Sequence, residues 1–267
     1  MYLEPKAIDI NKFSSVIAER PASTVSSRYK FIPTTQALTV LADFGWFPSK
    51  ITQANTRKEE NEGFQRHVIR LNNKKFNREM AVGSTIPQLV LTNSHSGTAA
   101  FSFLVGLFEK VCSNGLIVCR SNFEAMRVTH SGYSDVNLAN AIETTVKLLP
   151  DSLNLADSFK TIELTRDEQI AYAESAIELR YDGEKYAVRP DELLRTYRSN
   201  EKAPTLWNTY NVVQEKIING GVRQFRTDGS RIMSRKIKNV GEDVKLNKAL
   251  WQLTEKMAAL KGFRPNA

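Results

Sequence analysis

IPQLVLTNSHSGTAAFSFLVGLFEKVCSNGLIVCRSNFEAMRVTHSG, residues 86–132, is the stretch on which the reading of the fold turns. It opens with the apolar run Ile86 to Leu91, which has the length and branching of a buried strand. Thr92, Asn93 and Ser94 crowd the end of that run. Each side chain accepts hydrogen bonds from free backbone N–H groups, so together they predict a helix N-cap. Beyond Gly97, the residues Phe101, Leu104, Val105, Phe108 and Val111 recur at three- and four-residue spacing. That pattern predicts a helix over 97–111 with one buried face. Asn114-Gly115 closes it, since both residues tolerate the left-handed conformation of a C-cap. Leu116 to Cys119 then predicts a second strand and Phe123 to Thr129 a third.

Asn93, His95, Asn114, Arg120, Arg127 and His130 all fall at predicted element ends. Buried backbone groups need partners there, so the first expectation is that these side chains are structural. A catalytic cluster of Asn93, His95, Arg127 and His130 is the competing reading.

Three segments also carry a resemblance. "LTNSHSGTAAF", "GLFEKVCSNGLIV" and "RVTHSG" are similar to the signature of a family of phage and plasmid proteins, domain of unknown function 932. Its members typically read "TNSHDGT", "RLVCSNGL" and "VRHTG" at comparable places. "TLWNTYNVVQEKIINGG" resembles that family's late Trp-containing helix, so the likeness runs from about Arg28 to Leu253. It implies a setting in mobile-element DNA. It also marks Asn93, Ser94, His95, Asn114 and His130 as a signature polar cluster. Ser96 stands where the family often has Asp, which removes a carboxylate from that position.

The chain has 267 residues and a formal charge of +8, and its composition is that of an ordinary globular protein. No apolar run approaches a membrane span and no signal-peptide core is present, so a cytoplasmic protein without a membrane partner is expected. Cys112 and Cys119 lie in apolar surroundings, as reduced buried thiols do. Neither has His or carboxylate partners at ligand spacing, and no metal or other cofactor is expected. The charge is uneven. Residues 151–201 carry 12 acidic against 7 basic side chains, whereas 202–267 carry 13 basic against 5 acidic. A basic excess grouped in this way favours a polyanionic partner.

The order of elements predicts an α+β fold: an antiparallel sheet with helices packed on one face, and a largely helical C-terminal part. Residues 1–27 form an N-terminal arm, 28–150 the α+β core, and 151–267 the helical part, with a basic segment at 222–240. In the arm, Ile10, Phe13, Val16 and Ile17 suit a short amphipathic helix that docks on its own core or on a neighbouring copy, the latter giving a homo-oligomer. Phe47–Ala54 and Phe64–Leu71 predict a hairpin. Arg66 and Arg70 share one face of its return strand, and Lys74, Lys75, Phe76 and Arg78 form a basic loop after it. Further on, Thr165 and Glu168 predict a capping box. Asp182-Gly183 and Asp228-Gly229 predict turns.

The densest cationic segment is VRQFRTDGSRIMSRKIKN, residues 222–239. There Arg223, Arg226, Arg231, Arg235, Lys236 and Lys238 accompany Phe225 and a single acid, Asp228. Cations interleaved with an aromatic neutralise phosphates and stack bases. The leading expectation is therefore a non-catalytic single-stranded nucleic-acid-binding protein, of annealing type, in phage or plasmid DNA metabolism, with single-stranded DNA as the favoured partner. Arg66, Arg70, Lys74, Lys75, Arg78, Arg120, Arg127 and the 223–238 run would meet phosphates, and Phe76, Phe225 or Trp207 would stack bases. The alternatives are an interaction protein that inhibits a host factor, and an enzyme using the Asn93–His130 cluster. No phosphate-cradling loop, dinucleotide fingerprint or paired-acid motif is present, which disfavours nucleotide hydrolysis and two-metal chemistry.

Overall fold

The computed structural model describes residues 8–73, 75–76, 85–109, 115–118, 126–128 and 135–263. The chain divides into two compact units, one drawn mainly from residues 1–150 and the other mainly from 151–267.

The first unit is built around β3 (Thr85–Asn93), every residue of which is buried. β1 (Trp46–Gln53) and β2 (His67–Asn73) form the expected hairpin. β2 pairs antiparallel with β3, and β3 with β4 (Phe101–Glu109). β5 (Gly115–Val118) follows β4 in the sheet, and β6 (Met126–Val128) pairs with the start of β4. α1 (Thr34–Asp43) packs on β1, α2 (Asp135–Lys147) packs on β4 and β6, and the two helices touch. The α+β class is therefore correct, with an antiparallel sheet covered by helices on one face.

The helix expected over 97–111 is instead β4. Phe101, Ser102, Phe103, Leu104, Val105 and Leu107 are all buried, so both faces of this strand are covered. Such a strand is apolar throughout, and three- and four-residue spacings can be picked out of it as easily as two-residue ones. Its β-branched and aromatic content was the better guide. Ser94 does cap backbone groups, but at a strand-to-strand connection. Its Oγ accepts from the N–H of Thr98 at 3.1 Å and of Ala99 at 3.0 Å, while Gly97 takes a positive φ of 71°.

Among the described residues of the N-terminal arm, 8–27, there is one 3-10 turn, Ile10–Lys12, in place of an amphipathic helix. The arm docks on its own sheet. The Ser15 N–H and hydroxyl both donate to Gln53 Oε1, at 2.9 and 2.7 Å, and the Ala22 N–H donates to the His95 carbonyl at 2.9 Å. Residues 29–32 are irregular chain, and Tyr29 Oη donates to the Ser94 carbonyl at 2.9 Å.

The second unit is largely helical: α3 (Leu149–Thr161), α4 (Arg166–Arg180), α5 (Pro190–Leu194), α6 (Leu206–Asn219) and α7 (Val240–Leu260). Pro150 lies in the first turn of α3, where proline is tolerated because the helix N–H groups have no partner. The Thr165/Glu168 capping box is formed at the start of α4. The core is aromatic. Trp251 lies 5.4 Å from Phe159 and 5.6 Å from Tyr210, and Tyr210 lies 5.9 Å from Trp207. Beside these helices β7 (Tyr186–Val188), β8 (Arg223–Arg226) and β9 (Arg231–Met233) form a small antiparallel sheet.

Candidate nucleic-acid interface

The basic segment is shaped by its turn. Asp228 Oδ1 accepts from the Ser230 N–H at 2.8 Å, the Arg226 N–H donates to the Ser230 carbonyl, and Gly229 takes a φ of 78°. This closes β8 onto β9 with Arg223 opposite Met233, Gln224 opposite Ile232 and Phe225 opposite Arg231. On its other side β8 meets β7, with Ala187 opposite Phe225 and Val188 opposite Gln224. Residues opposite one another in a ladder share a face. One face of this sheet therefore carries Ala187, Arg223, Phe225, Arg231 and Met233. The other carries Val188, Gln224 and Ile232.

The first of these faces is open to solvent. Arg231 and Ala187 are exposed, and Met233 is 56% exposed. The guanidinium of Arg189 lies 5.7 Å from the Phe225 ring centroid. Arg223 reaches Glu192 at 3.5 Å, which orients it without neutralising the rest. Three arginines around a half-buried phenyl ring, on a rigid ladder, can meet phosphates and stack a base at once. Arg189 was not singled out in the sequence. Its signal was there: on the β7 side it continues the two-residue alternation Ala187–Arg189.

The cations expected on the first unit are placed differently. Arg70 is only 8% exposed, in the ladder between Lys50 and Val90, so the expected open arginine face on β2 does not exist. Alternation predicts a face but not whether that face is covered. Arg66 precedes β2, and its guanidinium donates to the Thr98 carbonyl in the β3–β4 connection. Lys75 is exposed, and Phe76 packs 5.9 Å from Trp46. Trp207 is 2% exposed within the aromatic core, so it cannot serve as a base platform. Arg127 occupies β6 opposite Ser102. Lys74, Arg78, Asn114, Arg120 and His130 lie outside the described residues, as do Cys112 and Cys119.

The signature residues Asn93, Ser94 and His95 are fully buried, together with two residues the sequence reading left aside, Thr34 and His67. His67 stands directly opposite Asn93 in the β2–β3 ladder. The carbonyl of Gln65 can only accept, so the contact at 3.2 Å places the His67 proton on Nδ1. His67 Nε2 then accepts from the Thr34 hydroxyl at 2.9 Å. Asn93 Nδ2 donates to the same hydroxyl oxygen at 3.0 Å and to the Ile32 carbonyl at 3.3 Å. The His95 ring lies 5.5 Å from that of His67 and 4.7 Å from Phe31. Burial, and secondly the neighbouring His95, push the His67 pKa down from 6.5 to about 3, so its ring is neutral at pH 7. The available clue was scarcity, since the chain has three histidines and two of them meet here. Among the described residues no three His, Cys, Asp or Glu side chains converge to hold a metal ion.

A family model, the domain of unknown function DUF932, matches residues 21–251. The chain belongs to the DUF932 family. It is similar to two proteins of Escherichia coli (strain K12), named UPF0380 protein YfjQ and UPF0380 protein YafZ. Each is 31% identical over 242 residues, which cover 90% of this chain and 86% of the relative. No solved structure matches it. The DUF932 match spans both the buried Thr34–His67–Asn93–His95 cluster and the open face around Phe225. No helix among the described residues is long and apolar enough to cross a membrane.

Proposed function

We propose that this DUF932 chain is a single-stranded nucleic-acid-binding protein, with single-stranded DNA the favoured partner, acting without catalysis in phage or plasmid DNA metabolism. One observation carries the reading. Phe225 lies on the open face of the β7–β9 sheet, flanked by Arg189, Arg223 and Arg231, with exposed Met233 beside it. A single strand offers unstacked bases to the ring and phosphates to the guanidinium groups, whereas a duplex offers only phosphates.

Fluorescence anisotropy with labelled oligonucleotides across a salt series tests this. Single strands should bind more tightly than duplexes of equal length, and affinity should fall linearly on a log–log plot as salt rises. No binding at low salt, or affinity indifferent to salt, would remove the reading. The buried cluster supports the competing enzyme reading poorly. Thr34, His67, Asn93 and His95 are all sealed from solvent, and the contacts traced above are with one another, with nearby rings and with backbone.

A further inference from the structure

The opposite side of the small sheet borders a cleft of about 510 Å³. It is lined by the end of α4, by Gln224 of β8, by the segment 234–238 that follows β9, and by Glu242 in the first turn of α7. We infer that this cleft is a phosphate-binding subsite, resting on the nucleic-acid reading above and separate from the stacking face around Phe225.

Charge is the first argument. Arg180, Lys185, Arg235, Lys236 and Lys238 line the cleft against two carboxylates, Asp182 and Glu242. Asp182 is already held by Lys185 at 2.6 Å, and Arg180 is spent on carbonyl groups of Lys216, Ile217 and Arg235. Arg235, Lys236 and Lys238 are exposed and form no ion pair among the described residues. They remain in excess over Glu242, so an anion entering the cleft meets a net positive lining.

Built polar groups are the second. Gln224 is 6% exposed, and its amide oxygen has no hydrogen-bond partner among the described residues. The N–H groups of the same amide are the donors it can turn to the oxygens of a ligand entering the cleft. Tyr181 is also buried there, and burial raises its pKa, so its phenol stays a neutral O–H. The 21-residue α7 begins at Val240, directly after the cationic segment, and its N-terminus adds positive potential. The acceptor oxygens of a phosphate suit the cations, the Tyr181 O–H and the Gln224 N–H donors together. A strand phosphate and a small free phosphate share that chemistry.

Two probes separate the sources: inorganic pyrophosphate, followed by calorimetry at 0.15 M salt as a roughly physiological condition, and a single-stranded oligonucleotide, followed by anisotropy. The Lys236→Ala/Lys238→Ala double variant changes only exposed side chains, and circular dichroism checks its fold. Expected are at least a tenfold loss of pyrophosphate affinity and a salt slope for the oligonucleotide shallower by about 1.4, as two lost single-strand phosphate contacts require. Lys245→Ala/Lys248→Ala removes equal charge from α7 outside the cleft and should leave pyrophosphate affinity unchanged. Equal losses in both double variants, or pyrophosphate affinity indifferent to Lys236 and Lys238, would overturn the subsite. If the oligonucleotide binds with an unaltered slope in the cleft variant, the subsite falls and the nucleic-acid reading stands. If pyrophosphate binding depends on the cleft but no oligonucleotide binds, the subsite stands with a small free phosphate as its ligand.

Discussion

The Thr34 hydroxyl lies 2.9 Å from Nε2 of His67, a histidine that cannot reach water, and donates to it. Thr34 belongs to the first turn of α1 and His67 to the start of β2, so one proton ties helix to sheet.

The pH dependence of folding follows from the burial of His67, with His95 beside it. The His67 pKa is about 3 in the folded protein against an ordinary 6.5, so between those values the unfolded chain binds the extra proton. The contribution of neutral His67 is thus fully present above about pH 6.5 and is lost as pH falls toward 3. The slope approaches 1.4 kcal/mol per pH unit, the limit for one proton. Urea midpoints at pH 7.5, 6 and 4.5 should fall more steeply for the wild type than for His67→Gln. Parallel profiles would show that His67 is not the titrating group.

Thr34→Val keeps the shape and removes the hydroxyl. It leaves His67 Nε2 without its donor and takes one acceptor from Asn93, a loss of about 1–3 kcal/mol. In a chain of this size that lowers Tm by roughly 2–4 °C per kcal/mol, readable by calorimetry. Thr34→Ser restores the hydroxyl and should recover much of the loss. If it behaves like Thr34→Val, the hydroxyl is not what matters.

Two aromatic truncations should behave oppositely. Trp207→Ala empties a site in the α6–α7 core and should cost about 3–5 kcal/mol, measured by denaturant unfolding. Phe225→Ala should change stability little and weaken oligonucleotide binding by about 1–3 kcal/mol, the worth of a stacked base. A Phe225→Ala protein that binds like the wild type would remove the stacking platform.

Gly220 and Gly221 offer a matched comparison at the end of α6. Both take positive φ, 75° and 74°. A Cβ on Gly220 would sit 2.6 Å from the Arg235 carbonyl carbon, whereas one on Gly221 would meet nothing within 4 Å. Gly221→Ala should therefore cost only the conformational part, about 1–2 kcal/mol. Gly220→Ala should cost distinctly more. Equal unfolding midpoints would mean that the α6 end and the segment after β9 are not in close approach.

Local chemistry was legible in the sequence where it needed no partner. The Thr165/Glu168 capping box and the Asp182-Gly183 and Asp228-Gly229 turns are formed by residues at most a few positions apart. Phe101–Glu109 was misread because a strand covered on both faces has no polar phase to reveal its period. Arg70 was misread for the complementary reason: alternation gives two faces without saying which is covered. Asn93 and His95 were found, but Thr34 and His67 were not. Their contacts span 33 and 61 positions, and only the sheet register joins them.

Gly220 and Arg180 together have a bearing on how fast and how tightly the cationic segment can engage a partner. Arg180 reaches carbonyls on both the end of α6 and Arg235, the Ile237 N–H donates to the Ile218 carbonyl at 2.9 Å, and Gly220 admits the chain against it. The backbone bearing Arg235, Lys236 and Lys238 is thereby held in place before any anion arrives. Its conformational entropy has been surrendered at folding, so association has only the side-chain rotamers left to freeze. A disordered basic tail of the same composition would have to order its backbone with each encounter.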